Sequence, residues 1–202
     1  MNDRPRPPLR NILLFNAAYM AVAIVAALIR QSGEFLFYIV TLFVIAGVLW
    51  HVHRRVNLTS GTLWALSFWG LAHMAGGLVP IPESWPYNPP NAVLYSWWII
   101  PDLLKYDQVV HAYGFGLCTW ICWQGLRAST GVTTVTFGRL SLCVLAAIGL
   151  GALNEVIEFF ATLLFTETNV GGYINTGWDL VSNLVGAVLA AVILWRTQPR
   201  EA

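Results

Sequence analysis

Six long apolar runs constrain this chain more than any other feature. They cover residues 11–29, 35–50, 62–79, 107–126, 140–165 and 178–195, separated by polar or proline-rich stretches. A helix needs about 20 mainly apolar residues to cross the roughly 30 Å hydrocarbon core of a bilayer. Within hydrocarbon each backbone amide must find its partner inside the segment. The runs therefore predict an all-α fold, a polytopic membrane helix bundle with six transmembrane helices. Of the 202 residues, 57% are hydrophobic and only 10% charged, against about 25% charged in a soluble domain. A net charge of +1 lacks the basic excess that nucleic-acid binding requires. The expected partners are membrane lipids, with no nucleic acid.

Residues 1–10 are polar, basic and rich in proline, which predicts a disordered tail; residues 11–196 form one membrane domain and 197–202 a second tail. Arg4, Arg6 and Arg10 ahead of an apolar run also open a signal peptide. This run exceeds the roughly 7–15-residue core of such a peptide and has no small-x-small site before Arg30, so it is expected to remain as a helix. His51-Val52-His53-Arg54-Arg55 closes the second run and is expected to be a hydrated loop at the membrane face rather than a metal site. Five prolines fall between residues 80 and 90, which a helix cannot accommodate. Residues 92–100 are aromatic (Tyr95, Trp97, Trp98) but too short to span, and predict an interfacial or re-entrant segment. Cys118, Cys122 and Cys143 lie in apolar runs without Cys-x-x-Cys spacing and are expected to pack, not to bridge.

Six spans put both termini on one side. Arg4, Arg6, Arg10, Arg54, Arg55, Arg127, Arg139, Arg196 and Arg200 share that side, and only Arg30 and Lys105 lie on the other. Basic loops stay in the cytoplasm, so both termini are expected there.

Against this apolar background a few ionisable residues stand out. Asp107 and His111 are four apart and stack on one helix face. Asn154, Glu155 and Glu158 interrupt the fifth run, Asp179 and Asn183 open the sixth, and His73 lies just above Gly76 and Gly77 in the third. At about 1.5 Å rise per residue, all of these fall in the outer half of the bundle. Ionisable groups are costly in hydrocarbon, so four segments that share one depth imply one shared site. No Arg or Lys lies in the four spans concerned, and Lys105 is expected to snorkel to the interface. Carboxylates buried without a basic partner must hold protons or bind a cation. Two histidines among carboxylates suit Zn²⁺, Mn²⁺ or Fe²⁺ better than the all-oxygen preferences of Ca²⁺ and Mg²⁺. The candidate metal ligands are His73, Asp107, His111, Glu158 and Asp179, and Glu155 and Glu158 are the candidate catalytic acid–base residues. Singly, His73 reads as an interhelical hydrogen-bonding residue, and Asp107 and Asp179 read as helix N-caps.

Tyr106-Asp107-x-x-x-His111, Asn154-Glu155-x-x-Glu158 and Trp178-Asp179-x-x-x-Asn183-x-x-Gly186 together resemble the bacterial YjdF-like family of inner-membrane proteins. More loosely they resemble the VanZ-like membrane proteins, which share the order Asp/His, Glu, then Asp/Asn/Gly. The resemblance covers residues 73–190 and implies a multi-pass protein of the bacterial inner membrane, of unestablished activity. For VanZ-like members it implies a link to glycopeptide-antibiotic resistance. Three functions fit the residues. One is a metal-dependent intramembrane hydrolase acting on a lipid or lipid-linked substrate, with the ion activating water and a carboxylate taking its proton. The second is a proton-coupled transporter, and the third a non-catalytic protein of envelope stress or resistance.

Overall fold

The computed structural model describes residues 7–89, 92–166 and 168–201. Six long helices carry the fold: α1 (Arg10–Ile29), α2 (Gly33–Val56), α3 (Ser60–Leu78), α4 (Tyr106–Thr130), α5 (Phe137–Leu164) and α6 (Tyr173–Thr197). Small polar residues set three of the starts. The Ser32, Thr59 and Thr136 hydroxyls each accept from a backbone amide three residues on, satisfying donors that the first helical turn leaves free. Gly131, at φ 74°, turns the chain out of α4 in the left-handed conformation that glycine takes without steric cost.

Helices α1, α2, α5 and α6 are long and apolar enough to cross a membrane. Helices α3 and α4 do not meet that measure; α4 carries Asp107, Gln108, His111 and Gln124 within its length. The polarity is inverted relative to a soluble bundle. On α6 the buried positions are Asp179, Asn183, Gly186, Ala187, Ala190 and Leu194, while Val181, Leu184, Val185, Leu189 and Ile193 face outward. Small and polar residues inside with branched apolar ones outside is the pattern of helices that pack in lipid.

The helix bounds depart from the hydropathy runs in ways that matter. The expected loop at 51–55 is helical: α2 continues to Val56, and His53 is buried. Helix α6 begins at Tyr173, five residues before the sixth run, because its first turn is polar yet helical. Asp179 therefore sits about 9 Å into the helix and is not an N-cap. The 92–100 segment is not a re-entrant helix. It forms a 3₁₀ turn (Leu94–Ser96) and a two-stranded antiparallel hairpin, β1 (Trp98–Ile100) with β2 (Leu104–Lys105), tied to the proline loop by bridges Pro80–Val93 and Tyr87–Trp97. This roof lies on the bundle end where α3 finishes and α4 begins.

Residues 1–6 of the expected N-terminal tail lie outside the described residues. At the other terminus the chain after α6 is held: Val135 N–H donates to Pro199 O at 2.7 Å, and Arg139 pairs with Glu201 at 2.8 Å. Two apolar clusters bracket the site. Met20, Ala23, Phe35, Ile39 and Met74 join α1, α2 and α3, and Trp123, Val135, Leu140, Cys143 and Leu194 join the far ends of α4, α5 and α6. All three cysteines are free. Helix α4 lies most closely against α6. A Cβ on Gly186 would overlap the Ala112 carbonyl, and one on Gly116 would stand 3.1 Å from Gly186 O. That backbone contact sets Asn183, one turn before Gly186, level with His111, the residue before Ala112.

Candidate functional site

Asp107, His111, Glu155, Glu158 and Asp179 meet at the roofed end of the bundle, on α4, α5 and α6. Their ligand atoms form two overlapping sets, Asp107–His111–Asp179 and His111–Glu155–Glu158, and in each set the atoms lie within 4.8 Å of one another. His111 is the shared member. Its Nε2 lies 3.6 Å from Asp107 Oδ1 and 3.9 Å from Glu158 Oε1, and its Nδ1 lies 3.7 Å from Glu155 Oε1. Side-chain exposures are 7% for His111, 13% for Asp107, 9% for Glu155 and 15% for Glu158. Asp179 and Asn183 are fully buried at 0%.

Two asparagines orient these groups. Asn183 Oδ1 is 3.0 Å from His111 Nδ1. A carbonyl oxygen only accepts, so Nδ1 carries the ring proton and the Nε2 lone pair points at Asp107 and Glu158. Asn175 Nδ2 donates to Asp179 Oδ2 at 2.6 Å and to Asp107 Oδ2 at 3.2 Å. Holding Asp107 Oδ2 leaves its Oδ1 toward the histidine, 3.6 Å from Nε2. Asn154, on α5, donates to Glu158 Oε1 at 2.8 Å.

The cluster is short of positive charge and of donors. Oδ1 of Asp179 accepts no hydrogen bond from the described residues, and the Glu155 oxygens have at most a weak contact from the adjacent Asn154 carboxamide. Lys105 does not snorkel outward as expected. The roof buries it to 6% exposure, its Nζ donates to Asn175 Oδ1, and no carboxylate among the described residues lies within ion-pair distance. Orphaned carboxylate oxygens are costly in a dry interior and mark a place where a cation or protons are needed. The donor set fits a divalent ion. Metal–ligand bonds of about 2.1 Å put neighbouring ligand atoms of a tetrahedron about 3.4 Å apart, close to the 3.6 Å between His111 Nε2 and Asp107 Oδ1.

His73 is in neither set. Its Nδ1 lies 2.6 Å from the Tyr95 hydroxyl, which also donates to the His73 carbonyl at 2.9 Å. The ring stacks on Trp69 at 5.4 Å between centroids. Burial, with the Asp107 and Glu158 charges added, pushes the Tyr95 phenol well above its usual range, so it remains neutral. Because that hydroxyl gives its one proton to the carbonyl, His73 donates through Nδ1 and turns Nε2 away. A cavity of about 20 Å³, lined by His73, Asn154, Glu158 and Tyr38, lies between the histidine and the cluster. It has room for about one water.

Two residues beside the cluster, Asn175 and Tyr95, escaped the sequence reading as site residues, and Lys105 was expected in another place. Asn175 had a signal. With Asp179 and Asn183 it forms an i, i+4, i+8 stripe on one helix face, the spacing that drew attention to Asp107 and His111. Tyr95 and Lys105 had none, since the roof alone brings them in. A further buried acid, Glu34 at the start of α2, lies outside the cluster. It accepts from the Asn169 amide and side chain, both at 2.8 Å, and so ties the α5–α6 loop to α2.

No curated protein and no solved structure matches the chain. The looser likeness to VanZ-like proteins gains no support from the comparisons, whereas the YjdF-like motifs agree with them. Residues 11–200, which hold every member of the cluster, match the family described as predicted membrane protein (DUF2238), and the chain belongs to that family.

Proposed function

We propose that this is a six-span protein of the bacterial inner membrane, with both termini cytoplasmic, and that it binds one divalent transition metal (Zn²⁺, Mn²⁺ or Fe²⁺) at the roofed end. We further propose that it acts as a metal-dependent hydrolase on a lipid or lipid-linked substrate at the outer leaflet. The observation that carries this reading is a buried histidine whose Nε2 lone pair faces Asp107 and Glu158, inside a group of carboxylates that also includes Glu155 and the donor-free Oδ1 of Asp179. An ion held by His111, Asp107 and Asp179, with Glu158 as a further ligand, would supply Lewis acidity and lower the pKa of a bound water. The protein's own groups do the rest. Asn175 and Asn183 hold the ligands in orientation, and Glu155 or Glu158 accepts the proton of the attacking water. The roof keeps bulk water off the charges and so strengthens their interaction.

Metal content and melting test this together. Purified protein should hold stoichiometric metal, and at an ion concentration a hundredfold above Kd the fold gains about 2.7 kcal/mol by mass action. Chelation should then lower the thermal midpoint by roughly 5–10 °C for a chain of this size. Glu158→Gln should abolish both the bound metal and the chelator effect, and Cys118→Ala should change neither. Protein without stoichiometric metal that melts alike with and without chelator would mean that the acids are simply protonated. The non-catalytic reading would then replace this one.

A further inference from the structure

Above the cluster, between the roof and the first turns of α4 and α6, lies a cavity of about 480 Å³. Its wall includes Asp107, Asn175, Lys105, Tyr95, Trp98 and Trp178, so it reaches one carboxylate of the cluster from the outer side. We propose that this cavity takes the phosphate group of a lipid headgroup, with Lys105 as its counter-charge. The proposal rests on the metal reading above for its strength, since a cation among the carboxylates would offset their charge and tighten an anion held beside Asp107.

Three features of the cavity point to an anion. Lys105 is buried and is the one basic residue among those described in the wall; its Nζ donates to Asn175 Oδ1 and lies 5.7 Å from the Trp98 ring, and it interacts with Asp179 only beyond ion-pair distance. A buried ammonium with no carboxylate in direct contact leaves room for an anionic partner. Helix α6 also opens into the cavity through Tyr173 and Ile174, with no acidic residue in its first turn and no side-chain cap on Gly172. Its first amides are therefore open to an external acceptor, and the positive end of the helix dipole faces the same space. The side-chain amide of Asn88, on the opposite wall, adds an uncharged donor.

The flank of the cavity says that the phosphate belongs to a lipid. Tyr173 is 89% exposed, Ile174 72% and Trp178 54%, all on the outward side of α6. Large apolar and aromatic side chains at the outer end of a membrane helix sit at the headgroup level. A headgroup drawn toward Lys105 would leave its chains running down past Ile174 and Trp178 into the outer leaflet.

Melting of the purified full chain in micelles of a phosphate-free maltoside detergent tests the assignment, with added phosphatidic acid or inorganic phosphate, and with or without Zn²⁺. Phosphatidic acid should raise the midpoint at a concentration at least about tenfold below inorganic phosphate, and the rise should be larger with Zn²⁺ present. Lys105→Gln keeps a donor for Asn175 but loses the charge, so it should weaken the phosphatidic acid response by about tenfold or more while leaving metal content intact. Lys105→Arg should retain the response. Metal-loaded protein that ignores phosphatidic acid, or a Lys105→Gln variant that responds like the parent, overturns this assignment and leaves the metal reading standing. Equal responses to lipid and inorganic phosphate overturn the lipid half. A Lys105-dependent response in protein that binds no metal upholds the phosphate site and overturns the metal reading instead.

Discussion

Replacing Asn183 by alanine should separate the ability to fold from the ability to hold an ion. The side chain is fully buried and its Oδ1 is 3.0 Å from His111 Nδ1. Deleting it strands a buried ring N–H, at a cost of roughly 1–3 kcal/mol. The same deletion removes Asn183 Nδ2, itself a buried donor without a partner, which returns a cost of similar origin. The net loss of stability should thus be small, about 0–2 kcal/mol. Metal affinity should fall much further. Without Asn183 the nearest acceptor for the ring proton is Glu155 Oε1, 3.7 Å from Nδ1, and a turn toward it moves Nε2 off Asp107. Loss of a ligand-orienting partner typically costs 10–100-fold in affinity. Competition against a chromophoric chelator gives the affinity, and melting of the metal-free form gives the stability. Asn183→Asp retains an acceptor and should bind metal at least as well as the parent. If Asn183→Ala binds metal with unchanged affinity, the hydrogen bond does not set the tautomer and the proposed role of Nε2 is wrong.

Two shorter tests address the scaffold. Gly186→Val places a side chain against the Ala112 carbonyl; parting α4 from α6 should cost about 1–3 kcal/mol, read as a lowered thermal midpoint together with lost metal, whereas an unchanged midpoint would deny the close helix contact. Reporter fusions should give a cytoplasmic signal after Leu126 and an external one after Val170, and the reverse pattern would put the roof and its cavity on the inner face.

The members of the cluster were legible because each breaks a rule of its surroundings. A carboxylate or histidine in a run of Leu, Val and Ile is visible without any knowledge of the fold, and i, i+4 spacing already places Asp107 and His111 on one helix face. Rotation about the helix axes was not legible. His73 shares the depth of the others, yet its ring is held by Trp69 and Tyr95 behind a small cavity. Nothing in the local sequence links residue 73 to residue 95. Asn175 was missed for a different reason: hydropathy marks where a chain becomes apolar, whereas α6 starts where its backbone can first close a helical turn, as Thr176 N–H to Gly172 O does at 3.2 Å. Lys105 was misplaced because snorkelling assumes open water above the helix end, and here that end is roofed by the hairpin that Lys105 itself closes.

The position of His73 also decides what kind of ion the site should prefer. With two imidazoles the ligand set would lean toward Zn²⁺; with one imidazole and several carboxylates it is harder and suits Mn²⁺ or Fe²⁺ comparatively better. The structure gives His111 as the one ring whose nitrogen falls within both convergent sets among the described residues. His73 has its Nδ1 engaged by a phenol that is itself fixed to the His73 carbonyl, so swinging the ring into the cluster would break one hydrogen bond and a stacking contact. Such a bond contributes about 1 kcal/mol and the stack a comparable amount, a total that one further ligand must exceed. His73→Gln should therefore leave metal content intact, with only a modest fall in stability, whereas His111→Gln should empty the site. Both variants should be loaded with Mn²⁺ and with Zn²⁺ and assayed by elemental analysis after desalting. Loss of both metals in His73→Gln, in protein that still melts cooperatively, would show that the ring crosses the cavity to reach the ion. Retention of both metals in that variant would mean an oxygen-rich ligand set drawn from α4, α5 and α6, with α3 and the roof acting as its wall.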